Sequence, residues 1–226
     1  MASNERQIRE AIVEAYLELG RQKLNFATSG NVSVRYGRGM LITPTGCTDD
    51  TLSAGQVIET TLDGSYEGDI APSSEWAMHA EVYKRCADAN AVVHTHADSC
   101  VALAAVHLPL PAFHYMIYGF GGDDVPCVPY FAFGSRALAE AAGKALVTRT
   151  ACLLANHGML ARGRTLRQAF DATIRLETLA RQYLLAKTIG EPVLLTEDEM
   201  KLVAERYADY GRQPKAKVTP RWSSVP

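Results

Sequence analysis

The sequence predicts one α/β domain, and three observations carry that prediction. Segments with apolar residues at three- and four-residue steps alternate with short apolar or alternating runs of strand length. No internal repeat and no linker interrupts residues 5–210. The 226 residues suffice for one large domain with a well-buried core.

Taken in order, Ile8, Ala11, Ile12, Ala15, Tyr16 and Leu19 define the apolar face of a helix over residues 5–24. The polar loop "TSGN" (28–31) leads into the alternating strand "VSVRY", and the Gly37–Gly39 stretch turns into a second strand, "GMLIT". That strand ends in the loop "TPTG" (43–46). "QVIETTLDGSYEG" follows as a hairpin around Asp63–Gly64. In "APSSEWAMHAEVYKRC", Ser73 or Ser74 is a candidate N-cap, and Trp76, His79, Ala80 and Tyr83 share a helical face. A strand over 91–96 precedes an Ala-rich helix near 97–106, and "HYMIYGFGGDD" holds a glycine-rich turn. A helix over 135–148 leads to the buried strand "ACLLAN", which ends at His157–Gly158. Residues 165–189 form a long helix. The last helix opens at Thr196 and Glu199 with capping-box spacing and runs to about Tyr210. The Pro-, Lys- and Ser-rich remainder, 212–226, reads as a flexible tail.

Composition excludes several classes. The net charge of −2, with Lys and Arg scattered, argues against nucleic acid or an anionic membrane surface as partner. No apolar run approaches the roughly 20 residues needed to cross a bilayer. The charged start "MASNERQIRE" is not read as a signal peptide. Cys47, Cys86, Cys100, Cys127 and Cys152 are odd in number, widely spaced and free of any C-x-x-C pair. They are expected to be reduced, mostly as small core residues, which points to the cytoplasm.

The chemistry concentrates in a few places. His94 and His96 alternate on one strand and so project from the same face. A buried histidine needs partners for both ring nitrogens, which hydrogen bonds in a core or a metal ion would supply. His157, at a strand end, is the candidate third ligand, with His79 and His114 as competitors; His79 is read as a packed, hydrogen-bonded residue. His107 sits in a loop without supporting neighbours. The loops "SGN" (Ser29, Gly30, Asn31), "TG" (Thr45, Gly46) and "SS" (Ser73, Ser74) offer backbone N–H groups and small donors. Each alone is a turn or a cap; together they suit a phosphate. Glu75 reads either as a carboxylate complementing a helix dipole or as a general base beside a metal.

"TSGNVSVR", "LITPTG", "PSSEWAMH", "VVHTHA", "HYMI", "PYFAFG" and "NHG" follow, in order and spacing, the pattern of one family. By these motifs the chain resembles the class II sugar-phosphate aldolases of the L-fuculose-1-phosphate aldolase type. The likeness covers residues 5–211. It implies a three-layer α/β/α domain over 1–211 with a central, mostly antiparallel sheet. It also implies one Zn²⁺ per chain held by His94, His96, His157 and Glu75, with Glu75 doubling as catalytic base. The phosphate pocket would fall on Asn31, Thr45, Gly46, Ser73 and Ser74, with Ser29 and Gly30 in the same loop. Tyr115 and Tyr210 would act across a subunit boundary of a fourfold-symmetric tetramer, and Phe133 would line the substrate pocket.

The implied activity is that of an aldehyde-lyase. It would cleave a ketose 1-phosphate between C3 and C4 to dihydroxyacetone phosphate and a small aldehyde. No lysine falls inside a site motif, so a Schiff-base mechanism has no candidate nucleophile. Similar families include ribulose-phosphate epimerases, a methylthioribulose-phosphate dehydratase, methylthio- and deoxyribulose-phosphate aldolases, and the non-catalytic adducin head. Glu75 favours an aldolase over an epimerase, and the full histidine set disfavours the adducin head. Tyr118 and Phe120 stand where the fuculose type has small residues, and are expected either to reach the mouth of the Tyr115 pocket and favour a less polar aldehyde or to pack against a neighbouring subunit and leave fuculose-type selectivity intact.

Overall fold

The computed structural model of the protein describes residues 2–48 and 51–209. The long helix α1 (Ala2–Arg21) leads into the first antiparallel pair, β1 (Asn31–Tyr36) and β2 (Gly39–Ile42). A 3-10 turn at Ala54–Gln56 precedes β3 (Ile58–Thr61), and α2 (Trp76–Arg85) follows. Next come β4 (Ala91–Thr95) and α3 (Asp98–Ala105), then the small pair β5 (Leu110–Pro111) and β6 (Asp124–Val125) around a 3-10 helix at Tyr115–Phe120. β7 (Cys127–Val128), α4 (Arg136–Ala145), β8 (Ala151–Leu154), β9 (Gly158–Gly163), α5 (Leu166–Ile189) and α6 (Glu197–Asp209) complete the chain.

Seven strands form the central sheet in the order β3-β2-β1-β4-β9-β8-β7. Every pairing is antiparallel except β7 with β8. Alternation sends successive side chains to two separate cores. Val93, Leu153, Met159 and Ala161 join Ile12, Tyr16, Leu103, Leu176 and Leu179 under α1, α3 and α5. Val92, Cys152, Leu154 and Leu160 join Met78, Val82, Leu138 and Ala142 under α2 and α4. The result is the expected three-layer α/β/α domain. Because both faces are covered, β4, β8 and β9 are buried along their whole length rather than on alternate residues.

Two features, β9 and the α2 N-cap, differ from the sequence-based expectation. "GMLARG" is β9, a fully buried strand at mid-sheet that the sequence reading passed over. Its Arg162 is buried because its guanidinium donates to the Leu146 and Arg149 carbonyls and pairs with Asp88. The expected glycine-rich turn is present at residues 121–123, with Gly121 in the left-handed region, and a 3-10 helix, Tyr115–Phe120, leads into it. The N-cap of α2 is Glu75, whose N–H donates to the Ser73 hydroxyl at 3.3 Å. All five cysteines are free, and four are buried. Tyr210 and the tail 212–226 lie outside the described residues.

Candidate metal centre and active site

Three strands and one helix end build the centre. His94 lies on β4, between β1 and β9, and His96 follows two residues later, before α3. His157 sits in the turn between β8 and β9, and Glu75 caps α2. Glu75 Oε2 lies 3.1 Å from His94 Nε2, Glu75 Oε1 lies 3.2 Å from His157 Nε2, and the His94 and His96 Nε2 atoms are 3.0 Å apart. One donor atom from each residue falls within 4.8 Å of every other. Tetrahedral donors at zinc–nitrogen distances of about 2.0–2.1 Å stand roughly 3.3–3.4 Å apart, so the spacing fits one divalent cation.

The surroundings aim these donors. His94 Nδ1 donates to the Met159 carbonyl at 2.8 Å, which leaves the Nε2 lone pair facing its neighbours. The turn carrying His157 is pinned from outside: the Asn156 N–H donates to the Ala104 carbonyl, and the Asn156 amide oxygen bonds the His107 ring. His107, expected to lack supporting neighbours, therefore braces the loop that presents His157. After His96, α3 begins without a capping side chain of its own. Glu177 of α5 supplies the cap, its two oxygens accepting from the Ser99 and Cys100 N–H groups at 3.0 Å each. No local pattern marks Glu177, since the segment it caps lies 77 residues earlier.

The electrostatics of the four groups call for positive charge. Burial pushes Glu75 up, but His94 and His157 outweigh it and hold the carboxyl well below its usual range. Burial works against charge on His94, and the Glu75 carboxylate reverses that and raises it. Burial and the neighbouring His94 push His96 down to about 4. Glu75 Oε1 is buried against His157 Nε2, and the Nε2 atoms of His94 and His96 face each other. Lone pairs crowded in this way are the donor set of a cation site.

The polar loops converge beside this cluster. The Ser73 N–H donates to the Thr43 carbonyl and the Thr45 N–H to the Ala71 carbonyl, zipping "TPTG" to "APSS". The Val32 N–H donates to the Thr43 hydroxyl, which ties in the "SGN" loop. From α1, the buried Tyr16 hydroxyl donates to the Cys47 carbonyl at 3.0 Å, just past Gly46. Gly30, at φ +78°, has the Asn25 amide directly over its α-carbon, so no side chain fits there. Thr45, Gly46 and Ser74 are exposed, Ser73 is buried, and the Ser29 hydroxyl accepts the Phe26 N–H. Asn31 departs from a simple phosphate donor. Its amide nitrogen donates to Glu75 Oε2 at 3.1 Å and its oxygen bonds His79.

The remaining expected residues are more scattered. Phe133 is exposed, on a loop whose Gly134 packs against the Ser74 carbonyl, so it flanks the serine pair. Tyr115 is about half exposed and stacks on His114 at 4.7 Å rather than on the cluster. Phe120 does not reach a pocket mouth: it is fully buried in the core beneath α5, with Arg175 over its ring. Tyr118 is half-buried and meets Tyr207 of α6 edge-on at 5.4 Å. His79 is wholly buried and hydrogen-bonded, as expected of a packed histidine.

The profile of the class II aldolase and adducin N-terminal domain matches residues 10–184. The chain belongs to the class II aldolase family. Among its relatives, an L-fuculose phosphate aldolase of Escherichia coli O6:H1 is 43% identical over 201 residues, spanning 88% of this chain and 94% of the relative. A 5-methylthioribulose-1-phosphate/5-deoxyribulose-1-phosphate aldolase of Rhodospirillum rubrum is 41% identical over 204 residues, spanning 90% and 92%. A solved L-fuculose 1-phosphate aldolase superposes with a TM-score of 0.85 at 37% identity, covering 89% of this chain and 96% of its own. As a class II aldolase the chain is an aldolase-type lyase with a Glu/His/His/His cluster able to hold a divalent metal. Among the described residues no helix is long and apolar enough to cross a membrane.

Proposed function

We propose that the protein cleaves a ketose 1-phosphate of the L-fuculose 1-phosphate type into dihydroxyacetone phosphate and a small aldehyde, with zinc as its metal. One observation carries this reading: Ser73 and Ser74 run directly into Glu75, so a phosphate held by the loops sets the sugar carbons beside the donor cluster. Three imidazole nitrogens and one carboxylate oxygen suit zinc, held by His94, His96, His157 and Glu75. When bound, such a cation supplies Lewis-acid stabilisation of the negative charge that develops on the ketone and adjacent hydroxyl oxygens as the C3–C4 bond breaks.

The chain's own residues do the rest. The hydroxyls of Thr45, Ser73 and Ser74 and the Gly46 N–H bind the phosphate dianion, since the Thr45 and Ser73 N–H groups already donate to carbonyls; no Lys or Arg lies in these loops. Glu75, buried and ionised in the resting site, takes up a proton from solvent during turnover and delivers it to C3 after cleavage, while the proton lost from the C4 hydroxyl leaves through Tyr115 to solvent. Tyr115 takes the proton of the C4 hydroxyl, whose oxygen becomes the aldehyde carbonyl. Tyr115 is half exposed and stacks on His114, which leaves it open to serve a neighbouring subunit of a homotetramer, and Tyr210 is assigned the same role. Phe133, exposed next to Ser74, lines the sugar's path. The free, mostly buried cysteines support a cytoplasmic location.

The test is release of dihydroxyacetone phosphate from L-fuculose 1-phosphate, 5-deoxyribulose 1-phosphate and 5-methylthioribulose 1-phosphate. Burial of Phe120 removes one of the two aromatic groups expected to favour an apolar aldehyde. The expected result is at least a tenfold kcat/KM advantage for L-fuculose 1-phosphate, about 1.4 kcal/mol. A preference for either pentulose phosphate would move the assignment to the salvage aldolases.

A further inference from the structure

Behind the donor cluster runs a line of five buried side chains: Tyr83, Ser33, His79, Asn31 and Glu75. Tyr83 Oη and Ser33 Oγ are 2.8 Å apart, and Ser33 Oγ is 2.7 Å from His79 Nδ1. His79 Nε2 bonds the Asn31 amide oxygen, and Asn31 Nδ2 donates to Glu75 Oε2 at 3.1 Å. The directions of these bonds follow from chemistry. An ionised carboxylate only accepts, so the amide nitrogen of Asn31 must face Glu75 and its oxygen must face His79. His79 then donates from Nε2 and accepts at Nδ1 from the Ser33 hydroxyl, which in turn accepts from Tyr83. Every donor in the line points toward Glu75. Burial pushes His79 down to about 3, in keeping with the neutral ring this pattern requires.

We propose that His79 is a positioning residue for Glu75. Its N–H locks the Asn31 amide with nitrogen toward the carboxylate, so Oε2 is held from behind while Oε1 stays turned toward His157 and the donor cluster. Without that lock the amide is free to present its oxygen, and two oxygens facing each other repel. Ser33 and Tyr83 fix the tautomer of His79 and so act one step further back. The inference rests on the reading of Glu75 as the proton carrier. It also gives Asn31 a duty in the chemical step that the phosphate loops do not share.

The test compares His79→Leu, which removes the ring's donor and its acceptor, with His79→Gln, which keeps an N–H donor and an acceptor on one side chain. Both are made in the full chain, alone and combined with Glu75→Gln. Turnover, KM, metal per chain and melting temperature are measured. A hydrogen bond to a charged group, lost in the step that uses it, lowers kcat about ten- to hundredfold. His79→Leu is expected to show that loss with KM within about twofold and metal content unchanged, and His79→Gln to recover most of it. In the Glu75→Gln background His79→Leu is expected to add little, because the two act as one unit. Wild-type kcat in folded His79→Leu would overturn the proposal, as would equal kcat losses in the Leu and Gln variants or a full additional loss on top of Glu75→Gln. If Glu75→Gln itself were near normal, the reading of Glu75 would fall first. Should His79→Leu not fold, Ser33→Ala takes its place: a reduced kcat at constant KM supports the proposal, and wild-type kcat overturns it.

Discussion

Gly158 opens β9 directly after the ligand His157, and its lack of a side chain is a spatial requirement. A Cβ there would press on the Thr95 carbonyl oxygen well inside 3.0 Å, and would stand 3.0 Å from His96 Cδ2 and 3.3 Å from His94 Cε1. The carbonyl belongs to the backbone of β4, which is hydrogen-bonded on both sides and cannot rotate out of the way. Gly158→Ala must therefore move β4 or β9 by several tenths of an ångström at the place where three ligands converge. Metal–ligand distances tolerate only about 0.2 Å. Overpacking of this kind costs about 1–3 kcal/mol of stability. Disturbed ligand orientation typically costs about 10- to 100-fold in metal affinity. The assay is zinc titration of the apo-protein beside thermal unfolding of the same sample, for wild type and Gly158→Ala. Wild-type zinc affinity together with an unchanged melting temperature would refute the reasoning.

Three further outcomes are expected. Glu75→Gln should keep metal on its three histidines yet lose about 10²–10⁴ in turnover, as removal of a general base does; steady-state kinetics with metal analysis checks both halves. Chelation should abolish activity and lower the melting temperature, and added zinc should restore both; a metal-free preparation at full activity would contradict the assignment of His94, His96 and His157. Ser73→Ala and Thr45→Ala should raise KM for the phosphorylated ketose while leaving its unphosphorylated counterpart equally poor, since only the dianion uses those donors.

Most of the fold was legible because its elements carry strong periodicity. The Ile12–Tyr16–Leu19 face of α1 and the Thr165-capped start of α5 are local patterns, and Thr196 and Glu199 form the capping box their spacing announces. β9 was not legible, because Gly at both ends and a central Arg resemble a loop. What makes Arg162 a core residue is its supply of carbonyl acceptors and Asp88, which are remote in sequence. Likewise, "YMIYGF" has the glycine of a turn, and only packing decides that Phe120 goes inward. In the site, the clustering of His94, His96, His157 and Glu75 was legible because two histidines alternating at the end of an apolar run have few other uses. Glu177 and the His79–Asn31 link were not, since each spans dozens of residues through contacts that no local spacing encodes. His107 was misjudged for the same reason: its partner, Asn156, is 49 residues away.

The location of His94 and His96 at mid-sheet has a consequence for how the chain reaches its native state. β4 must pair with β1 on one side and with β9, some 65 residues later, on the other. A slip of one residue in either pairing would turn both imidazoles to the opposite face, under α1 and α5, and scatter the donors. A misaligned or half-zipped chain therefore offers an incoming cation at most a few isolated ligands, and only the correctly aligned sheet offers four. Whatever free energy the cation contributes goes to that one alignment and to none of its competitors. A cation held there would thus favour the correct register over its competitors.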